Sequence, residues 1–264
     1  MRRLLRSTVP APVRLIVAVL RRGLNDLATG IRFATKREWD SPAHPFGEYA
    51  LPMLTYPGQE QAREAKHTNS QLLAAALRGS VVEPGETWSL WQLAGAPTRA
   101  KGYSEASAIV NGELTNAVGG ATCLVSTVVY NAGLLAGLEV VERTQHSIDT
   151  YGEQRYFELG RDATIEYGYL DLRFRNDFPW PLRLEVDVRR DAVQATFVGP
   201  LPRPFNVDIA VAVDRSVPGA IKARTRRTTR GPMLPTRTWT TTSRYRVSGL
   251  DDSTAISDPP LGAF

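Results

Sequence analysis

A single cysteine, Cys123, among 264 residues leaves no partner for an internal disulfide and no paired-cysteine metal site. The three histidines, His44, His67 and His146, never fall at His-x-x-x-His spacing, so neither a metal nor a cofactor is expected. No GxxxxGK[ST] run is present to cradle a phosphate, and the Gly119-Gly120 pair is not followed by a ribose-binding unit, which argues against a nucleotide site. Long apolar runs are also missing: Leu15 to Leu20 falls far short of the roughly 20 apolar residues that cross a bilayer. Pro10, Pro12 and Arg14 interrupt the segment that a signal peptide would keep continuous. The expectation is a cytoplasmic protein whose Arg2, Arg3, Arg6, Arg14, Arg21 and Arg22 can touch the anionic inner face of the membrane.

Hydrophobic residues at 42% and charged residues at 22% suit one large domain with appendages. The net charge of +5 points weakly to anionic partners, but no recognition motif accompanies it and nucleic acid is not expected. Apolar spacing predicts an amphipathic helix from Val13 to Ala34, then an irregular proline-rich connection from Lys36 to Tyr56, then a helix from Gln59 to Leu77 closed by Gly79. Trp88 and Trp91 could line a sugar or peptide groove, although anchoring a core is the commoner role of buried tryptophan. Asn111-Gly112 marks a hairpin between Ala106–Val110 and Glu113–Ala117.

Beyond His146 the pattern turns to strands. In Ala163 to Arg175 the parity of the apolar residues changes across Gly168, which predicts a bulge. Leu182 to Val188, Ala192 to Val198 and Phe205 to Val213 alternate, and the threonine-arginine tail from Ala223 to Val247 predicts two exposed edge strands. The fold class is α+β: a buried central helix on an antiparallel sheet, with N-terminal helices and a β-rich C-terminal half. The divisions are 1–57, the helix and connection; 58–200, the core; 201–250, a basic β extension; and 251–264, a disordered tail.

The stretch with chemical content is AVGGATCLVSTVVYNAGLLAGLEVVERTQHS, Ala117 to Ser147. Its apolar residues are too dense for a surface helix, so a buried helix begins at Cys123, ends near Gly137, and is followed by a strand delivering His146. A helix start favours thiolate over thiol through its free N–H groups and dipole, and a helix-turn-strand return can bring the histidine back to the cysteine. A small buried hydrophobe and a structural histidine remain the plainer alternative.

The run GYSEASAIVNGELTNAVGGATCLVSTVVYNAGLLAGLEVVERTQHS, continued by LGRDATIEYGYLDLRFRND and preceded by PGETWSLWQLAGAPT, resembles the VanW family over roughly residues 60 to 200. The matching positions include Gly102, Tyr103, Gly119, Gly120, Cys123, Ser126, Tyr130, Arg143, His146, Thr164 and Asp171. The family's usual third glycine and the glutamine after the cysteine are here Ala121 and Leu124, which removes a side-chain donor for an oxyanion.

The resemblance implies an accessory protein of cell-envelope metabolism or glycopeptide (vancomycin) resistance that binds a wall-derived peptide or sugar. The alternatives are a cysteine hydrolase or acyltransferase and a non-catalytic adaptor at an anionic membrane surface. The catalytic candidates are Cys123, His146 and Asp171, with Asp162, Asp171 or Glu105 to orient the imidazole. The binding candidates are Tyr103, Glu105, Gly119, Gly120, Ser126, Tyr130 and Asp162, and the expected partner is a cell-wall precursor or peptide.

Overall fold

The computed structural model describes residues 10–53, 60–110, 113–149, 152, 155–232 and 234–247. Its helices are α1 Ala11–Ala28, α2 Glu60–Leu77, α3 Leu90–Ala94 and α4 Thr122–Leu135. The strands run in chain order as β1 Thr35–Lys36, β2 His44–Pro52, β3 Ser80–Val82, β4 Thr87–Ser89, β5 Glu105–Val110, β6 Glu113–Val118 and β7 Glu139–Glu142. There follow β8 Ile148–Asp149, β9 Arg173–Arg175, β10 Leu182–Val188, β11 Ala192–Gly199, β12 Asn206–Asp214, β13 Ala220–Gly231 and β14 Leu234–Val247.

Helix α4 is the centre, because nearly every side of it is apolar or small and no face is left for water. It lies on a five-stranded antiparallel sheet of order β1-β3-β10-β11-β2, packed chiefly against β2 and β11 with α2 alongside. Val125, Val128, Val129 and Leu134 are fully buried in one core with Leu172, Phe174, Leu184 and Phe197, and Val140 and Ile165 join it as expected. Two glycines let the layers close. A Cβ at Gly47 of β2 would fall 2.2 Å from the Ala136 nitrogen, and one at Gly133 would fall 2.5 Å from the Phe174 ring. Trp88 is a core anchor whose indole N–H donates to the Ser80 hydroxyl at 2.8 Å.

Three smaller sheets complete the α+β architecture: β12-β13-β14-β8, β4-β9-β7 and the hairpin β5-β6. Among the described residues no helix is long and apolar enough to cross a membrane.

Several sequence expectations need correction. The connection from Lys36 to Tyr56 contains the nine-residue strand β2, which pairs with β11 along its length; its prolines are tolerated because β2 is the sheet's edge. The first helix ends at Ala28, with Gly30 at φ +65°, rather than continuing to Ala34. At Gly168, φ is +83° and Glu166 bridges Leu170, so the parity change is a tight turn and not a bulge.

The strand from Leu138 to Gln145 shortens to β7, with Thr144 making an isolated bridge to Thr164. Strand β13 is interior to its sheet, and its odd positions point inward: Thr225, Arg227 and Thr229 are buried while Arg224, Arg226 and Arg230 are exposed. Polar residue types at inward positions hid that alternation. Residues 251–264 and the Asn111-Gly112 turn lie outside the described residues.

The fit of α4 against β2 makes Gly47→Ala an overpacking change with backbone on the far side, expected to cost about 2–4 kcal/mol of unfolding free energy. Val128→Asp, which buries an unpaired carboxylate, should cost about 3–5 kcal/mol. Thermal or urea melts that match the parent for both variants would refute the packing described.

Candidate active site

Cys123 sits in the first turn of α4, half-buried on the wall of a cavity of about 590 Å³. The hairpin β5-β6 delivers the chain into the turn Gly119–Ala121, which fits close against β5: a Cβ at Gly120 would lie 2.0 Å from the Ala106 carbonyl oxygen. The turn is internally saturated. The N–H groups of Gly119, Gly120 and Ala121 donate to the carbonyls of Ser104, Ala117 and Ser107, and that of Leu124 donates to Ala121. The N–H groups of the glycine pair and of Leu124 are therefore not available to a bound anion. The Cys123 N–H is the first-turn donor that helix geometry leaves without an intrahelical acceptor beside the sulfur.

His146 follows β7 and the Thr144–Thr164 bridge, and its ring is stacked on Phe157 with centroids 5.3 Å apart. Its Nδ1 lies 2.7 Å from Oδ2 of Asp162, and its backbone N–H donates to the same oxygen at 2.7 Å. The opposite edge of the imidazole is left for the Cys123 thiol, and the two groups are electrostatically coupled, each shifting the other's titration. Since Nδ1 is committed to Asp162, the nitrogen toward sulfur is Nε2. The Thr164 hydroxyl stands 3.6 Å from Sγ, and the Ile165 N–H also points at it.

Electrostatics bias this chain of contacts toward an ion pair. Burial would raise the Cys123 thiol, but the hydrogen bond and charge of His146, the Ile165 N–H and the Thr164 hydroxyl together lower it from its ordinary value. Burial would hold His146 neutral, yet the hydrogen bonds to Asp162 and Cys123 raise it to about 10. Asp162, wholly buried, is kept below the usual carboxylate range against the burial penalty by His146 and by Arg143. Both shifts run in the direction that favours a thiolate beside an imidazolium, with the imidazolium held by a carboxylate.

Asp162 is itself firmly placed. Oδ1 accepts from the Arg143 guanidinium at 2.9 Å and from the Tyr245 hydroxyl at 2.5 Å, and the same hydroxyl accepts the Gly160 N–H. Arg143 extends to the Ser243 hydroxyl.

The structure separates the expected site residues. Cys123, His146, Gly119 and Gly120 line the cavity. Asp162 orients the imidazole, whereas Asp171 accepts from the Ser89 hydroxyl, the Trp91 and Leu172 N–H groups and Arg173, and so clamps the core elsewhere. Glu105 is exposed and paired with Arg99. Tyr103 is buried near Gly119 outside the cavity lining.

Ser126 donates to the Ala163 carbonyl, and Tyr130 is buried under the Arg143 guanidinium, 5.1 Å from its ring centre. Sequence reasoning did not single out the roles of Arg143, Thr164 and Tyr245, nor the cavity residues Lys66, Tyr156, Glu166, Tyr167 and Arg246, whereas Trp91, read as able to line a groove, is on the cavity wall. For Thr164 there was a signal, its position two residues past Asp162. Among the described residues, no cluster of three or more acidic, cysteine or histidine side chains is placed to hold a metal ion.

Ala121, the N-cap of α4, has φ +70° and is the one non-glycine residue with positive φ among those described. That conformation costs an L-residue about 1–2 kcal/mol. Ala121→Gly should therefore raise stability by up to about 1 kcal/mol after the extra unfolded-state entropy of glycine is subtracted. A variant that melts lower than the parent would show that Ala121 is not strained.

Comparison with known proteins fits this arrangement into a family. The model of the family described as VanW like protein matches residues 65–198. The protein YoaR of Bacillus subtilis (strain 168) is 40% identical over 121 residues, 46% of this chain and 39% of that protein. The vancomycin B-type resistance protein VanW of Enterococcus faecalis (strain ATCC 700802 / V583) is 34% identical over 116 residues, 44% of this chain and 42% of that protein. The match thus spans about two fifths of the length of these curated relatives. No solved structure matches. Cys123, His146 and Asp162 all fall inside the matched segment, and the chain belongs to the family of VanW-like proteins.

Proposed function

We propose that Cys123, His146 and Asp162 carry out acyl transfer on an amide or ester carbonyl of a cell-envelope peptide, with hydrolysis when water is the acceptor. The observation that supports this best is the 2.7 Å bond between His146 Nδ1 and Asp162 in line with a lowered thiol on a cavity wall. The Cys123 thiolate attacks the carbonyl carbon, and the Cys123 N–H is the nearest backbone donor for the oxyanion. The His146 Nε2–H proton goes to the leaving amine or alkoxide as the C–N or C–O bond breaks, leaving a thioester. Water or an amine then attacks the thioester, gives its proton to Nε2, and releases the thiolate. Asp162 keeps the ring in the required tautomer throughout.

The envelope assignment rests on the family and on the resistance named for one relative. The cavity volume of about 590 Å³ suits a short peptide, and its Trp91, Tyr156 and Tyr167 offer flat apolar contact beside the polar Lys66, Glu166 and Arg246.

Alkylation of Cys123 across pH tests the ion pair. The rate should rise through a depressed thiol pKa, stay level across neutral pH, and change again only as His146 loses its proton near 10. His146→Ala should move the first inflection upward. Acyl-transfer activity on wall peptides should vanish in Cys123→Ala and in His146→Ala alike, with the double variant little worse, because the pair acts as a unit. An unchanged alkylation profile in His146→Ala would end the catalytic reading and leave the cavity as a binding site.

A further inference from the structure

Helix α1 is mounted with its apolar side outward. Six of the ten exposed large apolar residues among those described lie on it: Val13, Ile16, Val17, Leu20, Leu24 and Leu27, the last 79% exposed. At about 100° per residue these six fall within an arc of about 100°. The docked side lies opposite and is largely polar. Asp26 is buried in a two-pronged pair with Arg173 at 2.7 and 2.8 Å, Arg22 makes a two-pronged pair with Glu142 at 2.7 Å, and only Leu15 and Val19 press on the backbone at Gly168. A helix of a free-standing domain puts its apolar stripe on the core and its charges in water. This one does the reverse, and a stripe of that size left in water marks an interaction surface.

Charge identifies the partner. Arg14 and Arg21 sit on the border of the stripe, and Arg21 is exposed. The ten residues ahead of the helix add Arg2, Arg3 and Arg6 and no acid. Through residue 37 the chain carries nine of its 32 Lys and Arg but one of its 27 acids, Asp26, so this segment is strongly positive while the remainder is slightly negative. An apolar stripe flanked by arginine suits the boundary between headgroups and acyl chains of an anionic bilayer, where leucine and isoleucine enter the hydrocarbon and guanidinium groups meet phosphate. A protein partner would need acidic residues around an apolar groove and would leave the concentration of arginine ahead of the helix without a function.

We propose that α1 is an interfacial helix that lays the protein on an anionic lipid surface. The turn that α1 presses on, Tyr167–Tyr169, follows Glu166, and both Glu166 and Tyr167 line the cavity beside Cys123, so docking would set the cavity close to the headgroup layer.

The test is sedimentation of the full chain with vesicles of phosphatidylcholine mixed with phosphatidylglycerol, against phosphatidylcholine alone. The parent should pellet with the mixed vesicles, less so as salt rises through the screening range. Leu20→Ser with Leu24→Ser should weaken that binding about a hundredfold, since two leucines leave hydrocarbon, with unchanged melting and unchanged Cys123 alkylation. Arg21→Glu should weaken it mainly at low salt. Absence of pelleting by the parent, or equal pelleting by the leucine variant, overturns the proposal. A dimer that is broken by the leucine changes while vesicles are ignored also overturns it and assigns the stripe to a second copy.

Discussion

The buried carboxylate of Asp162 is the constraint on which the site depends. A carboxylate with no solvent exposure is tolerable only if its charge is paired and its lone pairs are filled, because leaving it bare would cost several kcal/mol. Its four contacts come from two separate pieces of chain: the His146 ring and backbone N–H and Arg143 from the segment after β7, and Tyr245 from β14. Meeting that demand fixes the loop through His146 against the segment through Thr164, and that in turn holds the imidazole toward the first turn of α4. The reactive geometry is thus a by-product of how one buried charge is satisfied.

What could be read from sequence and what could not divides along physical lines. Helix α4 was legible because twelve of its fourteen residues are buried, so apolar density alone betrays it. A helix, a glycine turn at Gly137 and a return strand made it readable that Cys123 and His146 can come near one another, but not that their side chains meet. The choice of Asp162 over Asp171 was not legible. Both are buried acids, and only the long-range bonds of Asp171 to Ser89 and Arg173, or of Asp162 to His146, tell them apart. Strand β2 was missed because prolines and charged residues disguise an edge strand whose role is set by its Gly47 contact with α4. Strand β13 was misplaced because its inward positions are threonine and arginine, types that composition assigns to water.

Two networks of charge organise the molecule, and they meet at one short segment. The first runs from α1 through Asp26 to Arg173 and Asp171, and clamps β9 to the start of α3. The second runs from Tyr245 and Arg143 through Asp162 to His146 and Cys123. Between Asp162 and Asp171 the chain passes through Thr164, Ile165, Glu166 and Tyr167, which touch the sulfur or line the cavity, and then through the Gly168 turn gripped by α1. A displacement of α1 would therefore be felt first at Glu166 and Tyr167 and only afterwards at the sulfur, so surface attachment would bear on entry to the cavity before it bears on chemistry.

The C-terminal strands add a further dependence. The matched family segment ends at residue 198, yet β14 supplies the Tyr245 hydroxyl, the Ser243 hydroxyl that receives Arg143, and Arg246 on the cavity wall. Burial, followed by the charge of Asp162, pushes the Tyr245 phenol above its ordinary value, so it stays a neutral donor wherever the thiolate and imidazolium coexist. A neutral donor fills a lone pair on Oδ1 without competing for the carboxylate's charge, as a further cation beside His146 and Arg143 would. Arg143 already faces that oxygen, and its remaining donors are drawn off to the Asp162 carbonyl and Ser243. The carboxylate is in this way satisfied on one side by groups that hold it still, while its other oxygen keeps its strongest bond for the ring that faces Cys123.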